Sequence, residues 1–194
     1  MTEQQHDHAR SDTRSRIQEV ALDLFVKQGY EKTSLREIAE QLGVTKAALY
    51  YHFKTKEEIV QSTVHDYLKG IDALVAWGKE QQATLETRRE VVRRYGALLK
   101  EGQGAMRFFQ QNPAQGQELG KAFRSRMTSL LDLVRDPKAP LPEQIRSVLA
   151  LMGQMFGMVL ASEDMEITGG PYPPDEVRAA ALDVALELLE PRDG

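Results

Sequence analysis

The chain has 194 residues, 41% of them hydrophobic, and a formal net charge of −4, which allows one large or two small packed domains. It has no cysteine, so disulfides and thiolate metal sites are excluded. No apolar leader follows Met1, and the longest apolar run, Val148 to Ala161, contains Gln154 and is shorter than the ~20 residues a bilayer needs, so a cytoplasmic protein with no membrane partner is expected.

Residues 1–11 are polar and without period, which predicts a disordered tail. His6-Asp7-His8 offers two imidazoles, but on an unstructured segment they make no preformed metal site. Arg10 and Arg14 can reach a phosphate or the minor groove, or stay solvated. Asp12 to Gln28 reads as a helix with Ile17, Val20, Ala21, Leu24 and Phe25 on one face, stopped by Gly29.

The rest of the chain is organised around the stretch Thr33–Phe53. Ser34 and Glu37 form a capping box, and Leu35, Ile38, Ala39 and Leu42 continue it as a helical apolar stripe. Gly43 suits the left-handed residue that ends a helix, and Thr45 can cap the next one. Two short helices so joined match a helix-turn-helix, whose second helix enters the major groove of DNA. On that second helix Leu49 faces inward, while Lys46, Ala47, Tyr50 and Tyr51 fan across the far side, followed by His52. A lysine can donate to guanine O6 or N7, an alanine can touch a thymine methyl, and tyrosine and histidine suit phosphate oxygens. Thr33 and Ser34 stand at a helix N-terminus, where an anion is favoured, although either can act as a cap alone.

These residues carry a family resemblance. Gly29-Tyr30-Glu31-Lys32-Thr33-Ser34, then Ile38-Ala39, Leu42-Gly43-Val44 and Leu49-Tyr50-Tyr51-His52-Phe53-Lys54-Thr55-Lys56-Glu57 resemble the DNA-binding domain of TetR-family transcriptional regulators, over about residues 13–64. The resemblance implies an all-α protein: a three-helix DNA-binding domain, then a helical ligand-binding and dimerisation domain. It further implies a homodimer on a palindromic operator, controlled by a small molecule. It places Arg36 near backbone or base and Lys56 on a phosphate. The expected DNA-facing set is therefore Ser34, Arg36, Thr45, Lys46, Ala47, Tyr50, Tyr51, His52 and Lys56. Residues 1–56 carry a net charge of +1 and the remainder −5, which is consistent with a DNA-facing head on an acidic body.

Thr55-x-x-Glu58 opens a long helix to about Lys79, some ~35 Å of it. No linker separates it from the head, so the expected division is a tail at 1–11, a DNA-binding domain at 12–56 and an effector and dimerisation domain at 57–194. This helix is then the expected lever between ligand and DNA. Further on, Val91, Val92, Tyr95, Leu98 and Leu99 stripe one helix, ended by Gly102, and Met106, Phe108 and Phe109 mark a short one. Asn112-Pro113 starts another, with Leu119, Phe123, Met127, Leu130, Leu131 and Val134 inward. Two long helices close the chain, at about 142–163 and 175–189. In the first, Gly153 and Gly157 open a groove for close approach. The second has two apolar stripes, Val177-Ala181-Val184-Leu188 and Leu182-Leu186-Leu189, which calls for two partners. A dimeric four-helix bundle satisfies this, and so does a bundle within one chain.

Trp77, Tyr95, Phe108, Phe109, Phe123, Met127, Met152, Met155 and Phe156 are the candidate walls of an effector cavity, or ordinary core. They suggest a largely apolar effector. No cofactor is implied. No G-x-S-x-G, Walker A, dinucleotide fingerprint or H-E-x-x-H is present, and His6, His8, His52 and His65 make no triad, so an enzyme is not expected. The expected function is a ligand-responsive repressor; the alternatives are a DNA-binding protein without an effector, or an enzyme.

Overall fold

The computed structural model describes the backbone of residues 3–161 and 172–191, and side chains within these except at 3–11 and 114–119. The described residues are all-α: α1 (Glu3–Gln28), α2 (Leu35–Leu42), α3 (Lys46–His52), α4 (Lys56–Glu80), α5 (Leu85–Glu101), α6 (Gln103–Gln111), α7 (Pro113–Val134), α8 (Leu141–Leu160) and α9 (Pro174–Leu188). They divide into two compact units. The first is Met1–Tyr67 with Gly104–Leu119; the second is Leu68–Gln103 with Gly120–Gly194.

This division differs from the one expected at residues 56 and 57. The opening turns of α4 bury Ile59 and Val60 in the core of the first unit, so the helix belongs to that unit as far as Tyr67. The helix α6 joins the same core through Ala105, Phe108 and Phe109. The Phe108 ring lies 5.6 Å from Phe25, 5.5 Å from Tyr30 and 5.2 Å from Phe109. Helix α1 also begins at Glu3 rather than Asp12, since no proline or glycine interrupts Glu3–Ser11 and most of its residues tolerate a helix.

The core of the first unit is built on Ile17, Ala21 and Phe25 of α1, Ile38 of α2, Leu49 of α3, Phe53, and Ile59 of α4. Each large side chain fully buried here contributes roughly 1.5–3 kcal/mol against leaving it in water. A buried polar contact ties α1 to α4: Gln18 Nε2 donates to Ser62 Oγ at 2.5 Å and to Asp66 Oδ2 at 2.7 Å. Arg14 Nη2 donates to the same Ser62 Oγ at 2.8 Å, and its guanidinium lies 4.5 Å from the Phe53 ring centroid.

In the second unit α5 packs on α8 and α9, and α8 on α9. Gly157 is the point of closest approach, since a Cβ there would collide with the Cβ of Ala181; Gly153, expected to share that groove, faces open space. Arg146 of α8 donates to the carbonyls of Leu188 at 3.1 Å and Glu187 at 3.0 Å, closing the free end of α9. Asn112 donates back to the Phe108 carbonyl at 2.9 Å, so its side chain finishes α6. The connection between α8 and α9 lies mostly outside the described residues. Leu141, Ile145, Leu149 and Phe156 stand exposed along α8, as does Val184 of α9. Of the two stripes expected on α9, Leu189 is buried, Val177, Ala181, Leu182, Leu186 and Leu188 are half-buried and Val184 alone is exposed, so the exposed apolar surface lies mainly on α8.

Candidate nucleic-acid interface

Local chemistry fixes the turn between α2 and α3. Ser34 Oγ accepts the Glu37 N–H at 3.2 Å, and Glu37 Oε2 accepts the Ser34 N–H at 2.7 Å, a complete capping box. Hydrogen bonds from the Ser34 hydroxyl and N–H hold the Glu37 carboxyl below the usual carboxylate range. Gly43 takes φ 68°, and the N–H groups of Gly43 and Val44 donate to the carbonyls of Glu40 at 3.1 Å and Ala39 at 3.0 Å. That paired closure needs a left-handed residue, which glycine supplies without strain. Thr45 then starts α3, its Oγ1 accepting the Ala48 N–H at 3.2 Å.

Two anchors set the direction in which α3 points. Leu49 and Phe53 are fully buried, and the remaining face turns outward. Lys46, Ala47 and Ala48 are exposed, Tyr51 is 64% exposed, and Tyr50 and His52 are half-buried. The Lys46 ammonium lies 5.4 Å from the Tyr50 ring centroid, and the Tyr51 and His52 rings meet edge-on at 5.3 Å. Helix α3 has no acidic residue, and Lys46 makes no salt bridge among the described residues. Lys54 donates to the Tyr50 carbonyl at the end of the helix. The exposed surface of α3 is short and carries one ammonium and no carboxylate.

The other expected residues fall around this ridge with differing freedom. Arg36 is exposed on α2 and paired with Glu40 at 2.7 Å, which raises its pKa further. Ser34 is exposed, but its hydroxyl already donates to Glu37 Oε2 at 2.8 Å. Thr45 can still donate its hydroxyl proton. Lys56 is half-buried: its ammonium lies 4.5 Å from the Tyr30 ring centroid and donates to the carbonyls of Tyr30 at 2.6 Å and Glu31 at 3.4 Å. Two of its three N–H bonds are thus committed to the loop before α2. Tyr30 itself is buried and donates to Glu57 Oε1 at 2.8 Å; burial, then that carboxylate, pushes its pKa up. Thr33 is buried and donates to the Gly29 carbonyl at 2.9 Å, so it fastens the turn and does not face outward. Arg14 is exposed, with its guanidinium lying over Phe53 and donating to Ser62, and the side chains of His6, His8 and Arg10 lie outside the described residues.

The nine residues expected to wall an effector cavity are dispersed. Phe108 and Phe109 are core of the first unit, because α6 packs there. Phe156 is 53% exposed on α8. In the second unit Tyr95 and Met127 are buried, and Phe123, Met152 and Met155 are half-buried. Trp77 is half-buried beneath the Arg94 guanidinium, 3.7 Å from its ring centroid. A cavity of about 290 Å³ in the second unit is lined by none of the nine; Arg93, Lys100, Gln154, Met158, Arg178 and Leu182 are among its walls. Sequence periodicity finds apolar residues but does not say which of two cores receives them, and it has no signal for a polar-rimmed cavity. Among the described residues no group of three or more His, Asp or Glu is placed to hold a metal, and no helix is long and apolar enough to cross a membrane.

Comparison with known proteins agrees with this geometry. Residues 17–63 match the family described as bacterial regulatory proteins, tetR family. The chain is 32% identical over 81 residues to the HTH-type transcriptional repressor KstR2 of Rhodococcus jostii, a match covering 40% of either chain. Among solved structures, a transcriptional regulator of the TerR/AcrR family from Aquifex aeolicus shares the fold at TM-score 0.64 and 20% identity, over 92% of this chain and 99% of that one. AibR, solved in complex with isovaleryl coenzyme A and operator DNA, shares it at TM-score 0.55 and 17% identity, over 87% and 96%. The sequence matches to curated relatives span less than half of those relatives' length.

Proposed function

From the premise that residues 17–63 belong to the TetR family of DNA-binding domains, we propose that the chain is a cytoplasmic, ligand-responsive transcriptional repressor that binds a palindromic operator as a homodimer. The observation that carries this reading is the outward face of α3. Lys46, Ala47 and Tyr51 are exposed on α3, beside the half-buried Tyr50 that also packs on the core, while Leu49 and Phe53 are buried, and in a helix-turn-helix the exposed face of the second helix is the one that meets a major groove. In this reading Lys46 and Ala47 meet base edges. Tyr50, Tyr51, His52, Thr45 and Arg36 meet phosphates, Arg36 after exchanging Glu40 for a phosphate oxygen. Ser34 and Lys56 contribute mainly by holding the turn, with one Lys56 N–H left for the backbone of DNA.

A second copy of the chain is the partner for the exposed stripe Leu141-Ile145-Leu149-Phe156 of α8 and Val184 of α9. Apolar side chains repeated along one helix face gain by leaving water, and a two-fold pairing of α8 and α9 removes them together. Two heads held at fixed spacing then select two half-sites. A small, largely apolar effector in the second unit releases the operator. Helix α4 supports this coupling, since one unbroken helix runs from Lys56 in the first unit to Glu80 in the second. AibR, with the same fold, is described with both an acyl-coenzyme A and operator DNA. Support against the enzyme alternative comes from the absence of catalytic motifs in the sequence and from relatives named as regulators.

Selection of bound fragments from a genomic library tests the proposal. It should return a palindrome bound at nanomolar concentration and released by one member of a small-molecule library. Binding of all fragments alike would leave the effector-free DNA binder as the better reading.

A further inference from the structure

The cavity of about 290 Å³ lies between α5, α8 and α9, wholly within the second unit. Leu99 and Met158 are its buried apolar walls, and Ala181 and Leu182 extend that surface. Its opening is charged. Asp175 is shared by two cations, with Arg178 Nη2 at 2.8 Å and Lys100 Nζ at 3.3 Å. Arg93, also at the opening, is already held by Glu86 at 2.9 Å and Glu90 at 3.3 Å. Among the lining residues three cations, Arg93, Lys100 and Arg178, stand with one carboxylate, Asp175, so the wall itself is rich in positive charge.

Arg178 adds a second observation. Its side chain is only 18% exposed. Nη1 donates to Gln103 at 3.3 Å and Nη2 to Asp175, but its buried Nε has no acceptor among the described residues. A guanidinium donor left without an acceptor in a buried position is costly, more so than a neutral one. Its planar fork matches a carboxylate in two parallel hydrogen bonds. Asp175, 76% exposed, reaches only one nitrogen of that fork and shares its carboxylate with Lys100.

We propose that this cavity binds a small amphipathic carboxylate, its head on Arg178 and Lys100 and its hydrocarbon part against Leu99, Met158 and Leu182. The cations on the wall favour an anionic head, and the planar guanidinium of Arg178 suits a carboxylate. The volume stands at the lower end of small-molecule sites, which selects a short ligand. Asp175 is the internal stand-in for the ligand head and gives way when it arrives. The regulatory consequence rests on the repressor reading above; the binding itself does not.

The test is calorimetric titration of the full chain with sodium octanoate, and with 1-octanol as the uncharged counterpart. Octanoate should bind saturably, one per chain, at least tenfold tighter than octanol. Arg178→Gln and the more exposed Lys100→Gln should each weaken octanoate about tenfold, with unchanged circular dichroism. Asp175→Asn, which removes the competing carboxylate, should tighten it several-fold. No octanoate binding, equal binding of octanol, or full affinity in both Gln variants would overturn the proposal. A gel shift on the selected operator separates the two readings. DNA bound without octanoate binding removes the carboxylate site alone, and octanoate bound by a protein that ignores DNA removes the repressor alone.

Discussion

Phe108 lies far along the chain from the helix-turn-helix, yet it is fully buried against Phe25, Tyr30 and Phe109 in the first unit. Phe108→Ala removes a ring that touches three others. Emptying a buried phenylalanine site costs roughly 3–5 kcal/mol, and the aromatic pairs lie within the range that adds about 0.5–1.5 kcal/mol each beyond burial. The loss should fall on the head. In hydrogen exchange, amides of α1, α2 and α3 should lose protection by the full amount, while α8 and α9 keep theirs. Urea unfolding followed by exchange would measure it. A cost below about 1 kcal/mol, or a loss confined to the second unit, would refute the assignment of α6 to the head core. The conservative Phe108→Leu should recover more than half of the loss, because it refills most of the volume.

Three further changes probe single elements of the fold. Ser34→Ala removes the first cap of the head and should cost about 1 kcal/mol in thermal or urea unfolding. Because the Glu37 carboxyl is held below its unfolded value, its stabilisation is complete above the ordinary carboxylate range and is lost as pH falls through the lowered value; Ser34→Ala should flatten that acid limb, and an unchanged limb would contradict the cap. Gly43→Ala meets no neighbouring atom, so its cost should be backbone strain alone, roughly 1–2 kcal/mol, with Gly43→Asn milder by denaturation. Leu149→Glu combined with Phe156→Glu should give a monomer in sedimentation that binds a half-site but not the full palindrome cooperatively; a persistent dimer would place the interface elsewhere.

The head is legible from sequence because its signals are local. The Ser34–Glu37 box, the left-handed Gly43 and the Thr45 cap each act within a few residues, and all three are present in the structure. What escapes is long-range. The pattern Met106-Phe108-Phe109 announces a short apolar helix, but nothing in it says that Phe108 and Phe109, with Ala105 and not Met106, return to the core around Phe25. The same limit applies to Lys56, whose position in the first turn of α4 is plain from sequence while its hydrogen bond to the Tyr30 carbonyl is not. On α9, Val184 and Leu188 share a stripe in sequence, yet Val184 is exposed and Leu188 half-buried, because the close packing at Gly157 sets the rotation of that helix against α8. Of the proposed effector site, sequence offers only bulk. The charges at its mouth, on α5 and α9, lie far apart in the chain and carry no shared motif.

The proposed function stands or falls on whether α3 reads base edges through Lys46. Binding of wild type and Lys46→Ala to the selected operator and to operators altered at one base pair, titrated across salt, tests it directly. Lys46→Ala should lose about 1–3 kcal/mol of discrimination at a single base-pair position, whereas a phosphate contact would weaken all sequences alike and flatten the salt slope. Undiminished discrimination at every position, with Lys46→Ala bound as tightly as wild type, would contradict it.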